Sequence, residues 1–236
     1  MNRAHLARFA ALVALAAAAV SCRSTNAPAG VTRDMAAAIP ADTWLLAGLD
    51  LASLRAAPLY PQLPPAARAL AEQFRDAAYL LLASNGKDIA VITPSLAAAG
   101  RKTGRGGAPD LLLRAASLAD GKQIWVVARG GVPLPVAGNA ANLNRLLRNT
   151  EYAAITARIG SRIEIEATAA GRTAEAARDF EESLRAILSL TAAGNARQPD
   201  LVALIRSIRI GREDRTVRAN LSAGPDAAAG VLRLVP

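Results

Sequence analysis

The chain has 236 residues, a formal net charge of +9 at pH 7 and a hydrophobic fraction of 52%. Its one histidine, His5, and its one cysteine, Cys22, both lie within the first 22 residues. A chain from which this segment is cut has no imidazole base for Ser-His-Asp or Cys-His catalysis, and no Cys/His set for a zinc, haem or iron–sulfur site. It also has no disulfide, so the fold must be stabilised by its core.

Residues 1–21 are predicted to be a signal peptide. Arg3 and Arg8 precede an uncharged apolar run over 9–20, and small residues lead from it to Cys22. This order of positive charge, short apolar run and small-residue cleavage site is typical of secretion signals. The run of about 12 residues is shorter than the roughly 20 that span a bilayer, so we do not expect a transmembrane anchor.

The stretch Ala19-Val20-Ser21-Cys22 resembles the lipobox of bacterial lipoproteins. In that family the cysteine thiol is diacylglycerylated, the peptide is cut before the cysteine, and the new amine is often acylated. The resemblance implies that palmitate-type chains on Cys22 anchor the protein to the inner or outer membrane, most simply on its periplasmic side; two or more chains make such anchoring stable. Ala19 stands where the family typically has leucine, so the alternative is ordinary signal-peptide cleavage with Cys22 as an incidental thiol.

A polar tether over 22–35 is expected to lead into a first α+β module over 36–132. Its predicted elements, in chain order, are a buried strand (43–50), a helix capped by Asp50 (51–57), a second helix (66–77), a hairpin (79–93), a glycine-rich loop (95–110), a third helix (111–121) and a strand (122–130). The hairpin is assigned to Asn85-Gly86, a dipeptide that favours a type I′ turn with positive φ at both positions.

A second module over 133–236 is predicted after an irregular connection. A hairpin with Gly160-Ser161 at its turn alternates isoleucines with Glu164 and Glu166, which indicates a sheet with one solvated face. A short helix (139–149) is predicted before this hairpin. After it, the predicted elements are a long amphipathic helix (171–194), a short helix (198–207), a third hairpin (208–222) and a terminal helix (224–236).

Together these elements predict an α+β fold with two modules of antiparallel β-hairpins, each covered on one face by helices. The hairpin-then-helix order at 78–118 recurs at 152–193, which suggests a degenerate duplication. A cleft between the two modules is the natural place for a ligand or a partner.

A basic loop provides one candidate anion-binding site. Arg101, Lys102 and Arg105 lie among glycines, and removal of the signal peptide leaves a net charge of about +7. These side chains are suited to an anionic envelope polymer, and the alternative is a solvated loop. No nucleic-acid partner is expected, because the few aromatic residues lie in apolar patterns and not in a basic stacking surface.

Paired carboxylates are the other candidate chemistry. Glu164 and Glu166 share one face of a strand, where they are either solvated or able to share a proton or bind a cation. A glycan hydrolase needs two acids about 5 to 9 Å apart, and Trp44 or Trp125 beside them would supply a platform for the sugar.

The function predicted from these observations is that of an extracytoplasmic lipoprotein, membrane-anchored at Cys22, with a non-catalytic binding, scaffolding or envelope-associated role. No enzymatic activity, cofactor or metal site is expected. The alternatives are a carboxylate-dependent, glycan-directed envelope hydrolase and a binder of anionic envelope polymer.

Overall fold

The computed structural model describes residues 27–99, 107–132 and 147–224, together with Ala227. These ranges contain seven α-helices and eight β-strands. The helices are α1 Arg33–Ala37, α2 Leu51–Arg55, α3 Pro65–Gln73, α4 Pro94–Ala99, α5 Pro109–Leu118, α6 Ala174–Gly194 and α7 Pro199–Ser207. The strands are β1 Leu45–Asp50, β2 Tyr79–Ser84, β3 Ile89–Ile92, β4 Ile124–Arg129, β5 Thr150–Ile159, β6 Ile163–Gly171, β7 Arg209–Glu213 and β8 Thr216–Ala223.

All eight strands join in one antiparallel sheet, in the order β3-β2-β1-β4-β5-β6-β8-β7. The predicted mixture of helices and antiparallel hairpins is therefore confirmed. Strand β4, from the first predicted module, pairs with β5, from the second, between Ile124–Ala157 and Arg129–Tyr152. The duplication is not confirmed: α2 and α3 follow the first strand of one half, whereas α6 and α7 follow the second strand of the other.

Neighbouring residues on a strand point to opposite faces of the sheet. In this protein helices pack on both of these faces. On the Trp125 face, Leu81 and Trp125 pack with Met35 of α1, Ala97 of α4 and Leu111 of α5.

The opposite face, which we call the Ile155 face, carries Leu80 and Ile163, and these pack with Leu51 and Leu54 of α2 and Ala71 of α3. The first half of the chain thus has helices on both faces. The prediction of one covered face is wrong for this half, since β2 alternates Leu80 and Leu81 in a strand that is apolar on both sides.

The β2–β3 connection differs from the predicted type I′ turn. Gly86 has a φ of +87°, but Asn85 is not among the described residues with positive φ. Instead, the Asn85 side-chain oxygen accepts hydrogen bonds from the backbone N–H groups of Lys87 and Asp88, at 3.0 and 2.8 Å. This is an Asx-type turn, which the Asn85 side chain closes. Asn85 therefore does not need the positive φ that a type I′ turn requires at both of its central residues.

Side chains cap the starts of α2 and α6, and the cap at Asp50 was predicted. Asp50 Oδ1 accepts a hydrogen bond of 2.9 Å from the Ser53 N–H at α2. Thr173 Oγ1 accepts one of 3.1 Å from the Ala176 N–H at α6. These contacts satisfy N–H groups that have no partner inside a helix.

Among the residues that the structure describes, none of the helices combines the length and the hydrophobicity that crossing a membrane requires.

Candidate functional site

An uninterrupted apolar row crosses the Ile155 face of the sheet from edge to edge. Each strand contributes one residue, and strand pairing aligns them directly. In sheet order the row is Val91, Leu82, Ala47, Val126, Ile155, Ala167, Ala219 and Ile210. A face this apolar is ordinarily buried beneath a packed layer.

Helix α6 covers the second half of this face only loosely. Phe180, Leu184 and Leu188 lie along its sheet-facing side at i+4 spacing, and all three are half-buried. Of the 21 residues in the helix, only Ala177 is buried. Ile155 stays 52% exposed although β5 lies in the middle of the sheet. The helix therefore lies over the sheet without closing on it.

A cavity of about 290 Å³ lies between α6 and the sheet. Its floor includes Ala153, Ala167 and Ala219, whose methyl groups leave open the space that larger side chains fill in a packed core. Every lining residue is apolar except Arg129 and Thr168. The full lining is Leu45, Val126, Ala128, Arg129, Val132, Leu147, Ala153, Ala154, Ile155, Ala167, Thr168, Ala169, Phe180, Leu184, Leu188, Ile208, Val217 and Ala219.

The charge of Arg129, at one edge of the cavity, is compensated. Its Nε and Nη2 donate to the Asp110 carboxylate at 2.8 and 2.6 Å, and its Nη1 donates to the Thr43 carbonyl at 2.8 Å. The hydrogen bond from the guanidinium lowers the pKa of Asp110 and raises that of Arg129. Because these partners occupy the guanidinium, Arg129 is not a strong site for an anionic ligand.

One charged cluster joins α6 to the edge strand β7. Glu181 accepts from Arg185 at 2.8 Å and from Arg212 at 3.1 Å, and Arg185 also donates to the Ile210 carbonyl at 2.8 Å. Hydrogen bonds from the two arginines, that from Arg185 first, lower the pKa of Glu181. The cluster holds α6 at the sheet edge along the side next to the one that stands over the cavity.

The residues predicted to carry function lie mostly elsewhere. Cys22, Arg101, Lys102 and Arg105 are outside the described residues. The cavity is also not in a cleft between two separate modules, because its floor is a sheet shared by both halves of the chain.

The carboxylates and tryptophans considered for glycan chemistry are not brought together. Glu164 and Glu166 lie on the Trp125 face of β6, where Arg158 Nη1 is 3.8 Å from Glu164 Oε2. Trp125 is 0% exposed and Trp44 is buried, so neither ring is accessible to a sugar. Within the described ranges, no group of three or more His, Cys, Asp or Glu side chains is placed to hold a metal ion.

Sequence reasoning did not single out the cavity residues. The alternation along β6 and β8 is readable from the sequence, and on β8 it assigns Val217, Ala219 and Leu221 to one face. It does not reveal that alanines of β5, β6 and β8 together form a floor under α6, because β6 and β8 are paired across a long stretch of sequence. The closest signal was the run of small residues on those strands.

Comparison of the chain with protein-family models, with curated proteins and with solved structures finds no match.

Proposed function

We propose that this protein is an extracytoplasmic lipoprotein, anchored at Cys22, that binds the acyl chain of a lipid in the cavity beneath α6 and catalyses no reaction. The observation that carries the binding role is the cavity of about 290 Å³ with its almost entirely apolar lining. The proposal does not depend on whether the two halves of the sheet arose by duplication.

The chemistry of the lining supports a hydrocarbon ligand. Ligand sites are concave and mostly apolar, with volumes of about 300–1,000 Å³, and they use a few polar groups to orient the bound molecule. Here Arg129 is paired with Asp110, and Thr168 shares the Trp125 face of β6 with Glu166, so neither polar side chain competes with an apolar ligand on the cavity side of the sheet. An apolar lining favours an apolar ligand, because binding removes hydrocarbon surface on both sides from water. A lipid anchor would hold the domain beside a membrane, where acyl chains are the abundant hydrocarbon.

The residue inventory supports binding over catalysis. Beyond Cys22 the chain has neither cysteine nor histidine. The carboxylate that pairs with the lining residue Arg129 is Asp110, and the lowered pKa that results makes it a weak proton acceptor.

The ligand proposal is tested with cis-parinaric acid, a fluorescent fatty acid, added to the full chain carrying Cys22→Ser. We expect saturable fluorescence enhancement that Ala167→Phe and Ala219→Phe abolish, since each phenyl ring fills the floor of the cavity. Ala186→Phe is the matched control, because Ala186 is exposed on α6 and lines no part of the cavity. Circular dichroism establishes that each variant folds. Equal binding by all four proteins would contradict the proposal.

The anchor is tested separately by metabolic labelling with radioactive palmitate in the native host. We expect label in the native chain and none in the Cys22→Ser variant. Absence of label from the native chain would refute lipidation and leave the ligand proposal standing.

A further inference from the structure

The antiparallel helices α6 and α7 form a hairpin that is poorly buried for its composition. Ala177 is the one buried residue of α6, and none of the nine residues of α7 is buried. In α7, four large aliphatic side chains remain only half-buried: Leu201, Val202, Leu204 and Ile205. A helix that packs solely against its own domain ordinarily buries its apolar stripe.

The end of this hairpin is apolar and exposed. From Ala186 to Ala196 there is no charged side chain. Leu190 is 72% exposed, the largest value among the exposed large hydrophobic residues that the structure describes. Leu190 and the small residues beside it are therefore available for contact with a membrane, a protein or a ligand.

A groove of about 760 Å³ runs between α6, α7 and β7. Leu188, Val202 and Ile205 line its apolar part, and Arg185 and Arg206 lie at its border. Leu188 and Ile208 line both this groove and the cavity beneath α6. The groove is thus adjacent to the cavity, and Leu190 is in the lining of neither.

Two exposed arginines belong to the hairpin. Arg197 lies in the connection between α6 and α7 and Arg206 lies in the last turn of α7, and no carboxylate of the described residues is within 4.0 Å of either. Between 183 and 212 the one acidic residue is Asp200, which lies in the first turn of α7, where a negative charge complements the helix dipole.

We propose that the α6–α7 hairpin docks onto an anionic lipid surface, with Leu190 inserted among the acyl chains and Arg197 and Arg206 at the phosphate groups. An apolar helical surface bordered by arginine is the combination that binds such interfaces. The segment from 181 to 224 contains no aromatic residue, whereas protein–protein interfaces draw much of their energy from Trp and Tyr anchors. This docking does not require the acyl-binding cavity or the lipid on Cys22.

The experiment reads the local environment of one side chain. Leu190→Cys is introduced into the full chain carrying Cys22→Ser and is labelled with the environment-sensitive dye NBD. Leu113→Cys is the matched control: Leu113 is 54% exposed on α5, which covers the opposite face of the sheet. Both proteins are mixed with phosphatidylglycerol vesicles and with phosphatidylcholine vesicles. Because the N-terminus is the same in both, its own affinity for lipid does not distinguish them.

We expect a blue shift and a rise in NBD emission at position 190 with phosphatidylglycerol vesicles, and neither at position 113. High salt should weaken the response, because it screens the attraction of arginine for the surface. The double variant Arg197→Glu/Arg206→Glu should lower the partition coefficient by at least about thirtyfold, since each basic residue near an anionic surface raises it roughly fivefold.

Three outcomes would overturn the docking proposal. The first is no response at position 190, or equal responses at 190 and 113. The second is an equal response with phosphatidylcholine, which would remove the role of the arginines. The third is a blue shift that rises with protein concentration without vesicles, which would assign the surface to a second copy of the chain.

Discussion

The indole Nε1 of Trp125 donates a hydrogen bond of 2.6 Å to the hydroxyl of Tyr79 inside the core of the Trp125 face. Trp125 lies on β4 and Tyr79 on β2, and β1 runs between the two strands. Gly48 of β1 is the cross-strand partner of Trp125, and a side chain at that position would collide with the indole. One glycine therefore makes room for the ring, and one tyrosine satisfies its buried N–H.

Removal of the Tyr79 hydroxyl tests this pair. Tyr79→Phe leaves the buried Trp125 N–H without its partner, so we expect the free energy of unfolding to fall by about 1–3 kcal/mol. Urea denaturation measures the change. Tyr60→Phe is the control, because the hydroxyl of Tyr60 forms an exposed contact of 3.2 Å with Glu72, and its loss should lower the free energy of unfolding much less. Similar losses in both variants would contradict the role of the buried hydrogen bond.

The same tyrosine predicts a loss of stability at alkaline pH. Burial raises the pKa of Tyr79 to about 12, from an ordinary value of 10.0. The folded state therefore holds the phenol proton more tightly than the unfolded state. The resulting stabilisation is complete below pH 10 and is lost as the pH rises from about 10 to 12. Denaturation of the native chain and of Tyr79→Phe across this range should show a shallower decline in the variant, and parallel declines would refute the prediction.

A methyl group at position 48 should destabilise the fold. In Gly48→Ala the new methyl group would overlap the Trp125 indole, so the ring or the strand must shift, at a cost of about 1–3 kcal/mol. Gly160→Ala is the control, since no atom outside its immediate neighbours lies within 4 Å of a methyl group there. Thermal denaturation should separate the two variants, and an unchanged melting temperature in Gly48→Ala would show that the ring relocates freely.

Replacement by valine should affect the stability of the fold differently at two buried threonines of β5. Thr156 Oγ1 has no hydrogen-bond partner among the described residues, whereas Thr150 Oγ1 donates to the Leu147 carbonyl at 2.7 Å. Thr156→Val replaces an unsatisfied hydroxyl with a methyl group and should be neutral or stabilising. Thr150→Val should cost about 0.5–1.5 kcal/mol, the net contribution of one hydrogen bond. Chemical denaturation compares them, and a larger loss in Thr156→Val would be inconsistent with this reasoning.

The Asp110–Arg129 pair connects α5 to β4, and it predicts that the stability of the fold depends weakly on pH in the acidic range. The hydrogen bond from Arg129 lowers the pKa of Asp110 below its ordinary 3.8, so the pair stabilises the fold above that pH and loses its effect as the pH falls through the lowered pKa. The side chains are 54% and 36% exposed, so Asp110→Asn should cost less than about 1 kcal/mol at pH 7.

The difference between native and Asp110→Asn proteins should vanish in acid, as urea denaturation at several pH values would show. Asp76→Asn is the control, because Asp76 is almost fully exposed and its carboxylate is 4.0 Å from Arg75. A constant difference down to the lowest pH would mean that the charge of Asp110 does not matter.

Much of the local structure was predictable from neighbouring residues. Asp50 and Thr173 each cap a helix within three positions, and the spacing of Phe180, Leu184 and Leu188 defines one side of α6. Even locally, the turn at Asn85 was assigned incorrectly, because a side-chain oxygen competes with backbone geometry for the same N–H groups.

By itself, the sequence determined which residue types the chain has and where: one thiol, Cys22, in a stretch that resembles a lipobox, no histidine beyond it, and a set of alternating strands and amphipathic helices. Only the tertiary structure decided that the strands of both halves join in one sheet, that Ala153, Ala167 and Ala219 meet under α6, and that the α6–α7 hairpin stays exposed. The physical reason is that helix caps and apolar periodicity arise from residues a few positions apart. Cavities and exposed faces depend on which distant strands pair, and on how closely a helix can approach them.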